Sequence, residues 1–352
     1  MKQKLQLIII LCLSAFYANA QMTPTDYLTG ISSPRGLAFD ANGILYVAEN
    51  TSGNIFKVTG PETYTTFAST GSYNNNIAFD DNGNLYTGDD FFGRIFKIDA
   101  SGNQEEYLNS TNNNVSDPWA IEFDTNGNLY YSSSTSGNIV KVTPSKVSTN
   151  YATGFFTPEG MAFDSAGNLY VADRNDQILF KIDPAGTVTT VLSGISEIRA
   201  VAVDANDKVY FNQRIGFSTR KIVKYDPVDE SQTDIVDSGI TGSVSEIAFD
   251  ANGDMFFTGA DKVSKVSNVV ALSTTDFSIN NTFNIYPNPA KNIINVSNKV
   301  ASYKIFDLTG KKLIDGYNTT NIVDISSLPN GLYMVSLQDK KGNNTTKKLI
   351  KK

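Results

Sequence analysis

The chain has 352 residues, with 29 basic side chains against 36 acidic ones, a single cysteine and no histidine. The missing imidazole excludes Ser-His-Asp and Cys-His machinery, His-ligated zinc and haem, and the lone Cys12 excludes an intrachain disulfide. Any catalysis would have to rest on carboxylates, Lys, Tyr, Ser or Thr, or on an oxygen-ligated metal.

Residues 1–20 have the form of a secretory signal peptide: Lys2 and Lys4, an apolar run, then Ala18-Asn19-Ala20 before Gln21. The apolar run is short for a membrane span and contains Cys12, so the mature chain is expected to carry no thiol and no transmembrane segment. Residues 21–282 hold 16 basic and 32 acidic side chains, a net charge of −16. That balance argues against nucleic acid and anionic lipid as partners.

One phrase then recurs six times. It first stands as "GLAFDANGILYVAENTSGNIFKVT" (36–59) and returns as "NIAFDDNGNLYTGDDFFGRIFKID" (76–99) and four further variants. Its marker aspartate falls at Asp40, Asp80, Asp124, Asp164, Asp204 and Asp250, intervals of 40, 44, 40, 40 and 46 residues. Each unit predicts a strand ending at the marker, usually as Phe-Asp, then a tight turn that is Asp-x-Asn-Gly in four of the six. A second strand follows, beginning Leu-Tyr in the first four units, then a third around Ile-x-Lys or its variants, and a fourth between units. "DTNGN" (124–128) and "DANGD" (250–254) imitate calcium loops, but their glycine comes too early and no bidentate Glu follows. The N-terminal "TDYLTGIS" (25–32) is a fourth strand with no unit before it. The expectation for residues 21–270 is a six-bladed β-propeller in which this strand closes the last blade. The units resemble those of the NHL, gluconolactonase-like and streptogramin-lyase-like propellers. That resemblance implies the fold and no single activity.

Residues 271–282 form a polar linker, and residues 283–352 carry 11 Lys and 4 Asp, a net of +7. Alternating apolar residues and turn signals predict a small Ig-like β-sandwich, making the whole chain all-β. Tyr286-Pro287-Asn288-Pro289, the stretch Lys304 to Lys311 with Gly310, and Leu328 to Tyr333 with Gly331 resemble the type A C-terminal sorting domain of the Bacteroidetes type IX secretion system. The resemblance implies the type IX machinery as a partner. It also implies passage through the periplasm to the cell surface or the medium, with the domain cleaved as the cargo is released or attached.

Two registers are expected to meet at one mouth of the ring. Five residues before each marker stand Arg35, Asn75, Trp119, Glu159, Arg199 and Ser245; nine after it stand Glu49, Asp89, Ser133, Asp173, Gln213 and Gly259. In gluconolactonase-like relatives the first register supplies metal ligands, and the resemblance implies Asn75 and Glu159, with Asp173 from the second register beside them, as candidates for calcium or another divalent cation. Glu49, Asp89 and Asp173 follow strand ends and are expected to cap backbone amides before binding a metal. Arg35, Trp119 and Arg199 interrupt that set, because a guanidinium repels a cation. The streptogramin-lyase-like enzymes rely on histidine, which this chain lacks. Arg35, Glu159 and Arg199 therefore form either a self-neutralising network or a grip for an anionic group. Tyr73, Phe91, Phe92, Trp119, Phe155 and Phe156 fall in loops at the same mouth. Arg35, Asn75, Phe91, Trp119, Phe155, Glu159 and Arg199 are thus the candidate ligand-binding residues, and no cofactor is expected. The leading reading is a recognition propeller for a glycan, peptide or protein. The alternative is a lactonase, esterase or lyase with Glu159 as its catalytic group.

Overall fold

Each repeat aspartate closes a hairpin by accepting backbone N–H bonds. In the computed structural model, Asp40 Oδ1 takes them from Asn42 and Ile44 at 2.9 Å each, and Asp164 Oδ1 from Ala166 and Asn168 at 3.0 and 2.8 Å. The glycine that follows lies at φ 76° in Gly43 and 80° in Gly167, a left-handed conformation that a Cβ would strain. The two calcium-loop imitations are therefore turn chemistry. The structure describes residues 22–71, 73–113, 115–270, 285–297, 301–307, 311–317, 321–338 and 344–352. The signal peptide, the linker and Gly310 lie outside these residues.

The chain divides into two compact units, Met1–Leu272 and Ser273–Lys352. In the first unit, six four-stranded antiparallel sheets stand one per repeat. In blade 1 the strands run Pro34–Phe39, Leu45–Glu49, Asn54–Gly60 and Thr63–Ser69, in spatial as well as sequence order. Blade 6 differs as expected: Thr25–Thr29 pairs antiparallel with Lys262–Val266 and completes the sheet made by Ile247–Phe249 and Met255–Thr258.

The repeat also explains how blades adhere. The Phe before each marker meets the Tyr of the preceding blade edge to face. Centroids lie 5.1 Å apart for Tyr46–Phe79, 5.0 Å for Tyr86–Phe123, 5.1 Å for Tyr130–Phe163 and 4.8 Å for Tyr210–Phe249. Phe256–Phe39, at 5.2 Å, makes the same contact where the ring closes. Such pairs add about 0.5–1.5 kcal/mol each beyond their buried area. Only the junction ahead of Val203 lacks the Phe, since valine stands there.

The closing strand is anchored by Leu28, which is fully buried, and Ile31 follows it into the same core. Leu28→Ala is expected to cost about 2–5 kcal/mol, the usual range for a core cavity. Denaturant unfolding of the full chain checks this, and a change within error would mean that the strand is dispensable.

The first strands of the blades line a central cavity of about 460 Å³. Two residues before the marker, five blades have alanine (Ala38, Ala78, Ala162, Ala202, Ala248) and the third has Glu122. Glu122 shares the cavity with Glu246 and Asn76, and the Asn76 amide donates to the Glu246 carboxylate.

The C-terminal unit is a sandwich of a three-stranded and a four-stranded sheet. Ile294, Ile305, Val323, Val335, Leu337 and Leu349 form its core. The Tyr286-Pro287-Asn288-Pro289 stretch contains two cis peptide bonds, before Pro287 and before Pro289. Tyr286 is exposed, while Asn288 pins the last strand. Its amide donates to the Lys348 carbonyl at 2.6 Å and accepts from the Ile350 N–H at 2.9 Å. Gly331 opens the longest central strand, and Tyr333 donates its hydroxyl to the Pro329 carbonyl at 2.8 Å.

Candidate functional site

A local irregularity aims the side chains of the first register. Pairing of the first two strands slips between Pro34 and Gly36, between Asn74 and Ile77, between Pro118 and Ile121, and between Pro158 and Gly160. Arg35, Asn75, Trp119 and Glu159 sit within these bulges. A bulge breaks the in–out alternation of a strand, so these residues turn toward the mouth rather than between blades. Two glycines allow the approach: a Cβ on Gly36 would stand 2.7 Å from the Asn75 carbonyl, and one on Gly160 would stand 2.2 Å from the Arg199 carbonyl. Arg199 is placed differently, by the Asn212 side chain, whose oxygen accepts the N–H groups of Arg199 and Ala200 at 2.9 and 2.8 Å.

The result is one connected cluster. Arg35 donates to Asn75 Oδ1 at 2.8 Å and lies over the Trp119 ring, 4.9 Å from its centroid. Glu159 is buried and lies 3.1 Å from Arg199 and 3.4 Å from Arg174. Burial pushes the Glu159 carboxyl above the usual range, with Arg199, Arg174 and Arg35 pulling it back in that order. Burial likewise lowers the Arg35 and Arg199 guanidiniums, and opposite charges only partly restore them. Asp90 is raised by burial and sits close enough to Arg35 and Asn75 for both to oppose that rise. Its approach to the Asn75 amide falls short of hydrogen-bond geometry.

Arg174 and Asp90 were not among the sequence candidates. Both stand ten residues after their markers, one beyond the register chosen. Three of the ninth residues, Glu49, Asp89 and Asp173, cap backbone amides, the role expected at a strand end. Asp173 accepts the N–H groups of Phe156, Thr157 and Asp176 at 2.6, 3.0 and 3.2 Å, and Glu49 accepts that of Ser32 at 3.0 Å. Asp89 accepts from the Phe92 N–H at 3.1 Å and pairs with Arg94 at 2.7 Å.

The candidate divalent-cation set does not fit its task. Asp173 is occupied by amides, and Asn75 Oδ1 already accepts from Arg35 and from Asn50 at 3.1 Å. Glu159 is surrounded by three guanidiniums. Among the described residues no group of three or more acidic side chains could hold a metal ion.

The aromatic candidates separate. Tyr73, Phe91, Phe92 and Phe156 are exposed, Phe91 by 72%, with Tyr73–Phe91 and Phe91–Phe92 centroids 5.5 and 4.9 Å apart. Phe155 corrects the expectation: it is 7% exposed and packs edge to face on Phe180, in the core between blades 3 and 4. Of two adjacent aromatics in an extended loop, one points in and one out. Ile215 and Phe217, on the corresponding loop of blade 5, extend the exposed apolar rim and were not anticipated.

These features define a six-bladed β-propeller with an arginine-rich mouth, carried on a chain with a separate C-terminal sandwich. Residues 284–352 match the family profile of the secretion system C-terminal sorting domain. The tail belongs to that family and marks the chain for type IX export to the cell surface or beyond it. Among solved structures, the propeller is similar to streptogramin B lyase, with 13% identity, a TM-score of 0.55, and coverage of 70% of this chain and 97% of that one. It is also similar to a gluconolactonase from Xanthomonas campestris (14%, TM-score 0.59, 68% and 87% covered). A third is a luciferin-regenerating enzyme (12%, TM-score 0.58, 70% and 96% covered). At such identities the likeness is one of fold. No curated protein matches the chain. Among the described residues no helix is long and apolar enough to cross a membrane.

Proposed function

We propose that this is an exported recognition propeller that binds a glycan, peptide or protein ligand at the mouth formed by Arg35, Asn75, Trp119, Glu159, Arg174 and Arg199. The observation that carries this reading is the one-sidedness of the exposed aromatics. Tyr73, Phe91, Phe92, Phe156 and Phe217 all lie on loops at the end of the ring where the polar cluster sits. The opposite end carries the Asp-x-Asn-Gly turns, whose side chains are spent on their own backbone. A polar cluster rimmed by exposed aromatic surface on one face is the usual anatomy of a binding site. The hydrolase alternative requires a cation held by residues that are already engaged with arginines and amides. Glycan and peptide arrays probed with the purified full chain should give a hit. Trp119→Ala should weaken that hit at least tenfold while leaving the unfolding midpoint near wild type. Blank arrays, or a hit indifferent to Trp119, would sink the reading. Lactone turnover with stoichiometric bound metal would replace it with the hydrolase.

A further inference from the structure

The mouth gathers positive charge and holds buried donors that its own acceptors do not serve. Three guanidiniums, those of Arg35, Arg174 and Arg199, surround Glu159, with Asp90 acting on Arg35 and Glu197 on Arg199. Six buried side-chain atoms lack a hydrogen-bond partner among the described residues, and two donors of the mouth are among them, Asn75 Nδ2 and Arg199 Nε; Glu159 Oε2, by contrast, is ion-paired with Arg199 at 3.1 Å. The orientation of Asn75 is fixed, because its oxygen already accepts from both Arg35 and Asn50. Leaving such groups unmet costs about 1–3 kcal/mol each. An arrangement this expensive is unusual unless something completes it.

The shortfall specifies what is missing. Two orphan donors ask for an acceptor group on the ligand. A carboxylate matches a guanidinium fork while adding one negative charge, whereas a phosphate dianion would set nearly two beside the Glu159, Asp90 and Glu197 carboxylates. Arg174, with 35% of its side chain exposed, presents a guanidinium fork to solvent, and the Trp119 ring and the aromatic rim offer flat apolar surface. The propeller body is otherwise strongly acidic, so this spot is a local exception that would steer an anion inward.

We infer that the ligand is a saccharide bearing a uronate: Arg35, Arg174 and Arg199 hold its carboxylate, and the Trp119 ring and the aromatic rim take the apolar faces of its sugar rings. This rests on the recognition reading above and narrows it. Calorimetric titration of the full chain with oligomers of galacturonate, glucuronate and mannuronate tests it, alongside their carboxyl-reduced counterparts, a sugar phosphate and an acidic peptide. At least one uronate series should bind, more than tenfold tighter than its reduced form and more weakly as salt is raised. Arg174→Ala should lose that tenfold preference, with Arg174→Lys recovering part of it. Equal binding of the reduced forms, tighter binding of the phosphate or the peptide, or indifference to Arg174 would overturn the inference. So would failure of every uronate. A neutral glycan or peptide bound through Trp119 would leave the recognition reading standing while removing this one; silence from every probe would remove both.

Discussion

Glu122→Gln should flatten the fall in stability expected between pH 5 and pH 8. Glu122 stands in the central cavity at a register that is alanine in every other blade. Burial pushes its carboxyl up to about 8, with the Phe123 backbone N–H offering a small opposing contribution. Glu246 is raised well above its ordinary value by burial and by Glu122, against the Asn76 amide. Asp81 and Asp124 line the same cavity, so the other acidic groups facing the pair do not relieve it. The sign follows from proton counting. Between the unfolded value near 4.5 and the folded value near 8, the folded protein holds a proton that the unfolded chain has released. Stability is therefore full below the lower limit and declines as pH rises through the upper one. Glutamine keeps the group neutral throughout. The variant should match wild type at pH 5 and exceed it at pH 8 by on the order of 1–3 kcal/mol, at the lower end because the cavity admits water. For a domain of this size that is roughly 2–4 °C in Tm per kcal/mol. Parallel pH slopes for the two proteins in thermal unfolding would refute the argument.

Removal of residues 283–352 should strand the propeller in the periplasm. The sorting tail has its own core and its own clasp on the final strand through Asn288, so its loss leaves every blade contact described above in place. The truncated protein should fold, pass the inner membrane and stop, whereas the full chain reaches the surface or the medium. Fractionation with a periplasmic marker decides the matter, and unchanged surface delivery would show that the tail is not the signal.

The framework was legible because its chemistry is local. The marker aspartate, the following glycine and the Phe–Tyr junction pair act within one hairpin or between neighbours, so each repeat states them again. The mouth was legible only in part. Counting five back finds Arg35, Asn75, Trp119 and Glu159, since the bulges that aim them recur, and Arg199, which Asn212 holds at the same register. Counting nine forward lands on residues that backbone amides have captured, while Asp90 and Arg174, one step further, enter the cluster. That displacement depends on where orphan amides lie in the loop before the blade, which periodicity does not reveal. Phe155 was misplaced because sequence does not say which member of Phe155-Phe156 turns inward. Glu122 does leave a signal, an acid in a column of alanines, but it lies inside the repeat phrase, where the shared hairpin pattern masks it.

Closure of the ring by its own first strand has a kinetic consequence. Asp26 and Lys262, which meet at 2.6 Å across that seam, are 236 positions apart in the chain. During synthesis the first strand is made early and waits, edge exposed, until nearly the whole propeller has followed. The seam is the contact of highest loop-closure cost and should be among the last to form. A chain interrupted before residue 262 leaves the first strand unpaired, an adhesive edge of the kind that proteolysis and chaperones act on. The same strand that makes the ring whole is therefore exposed in any molecule whose last blade is missing.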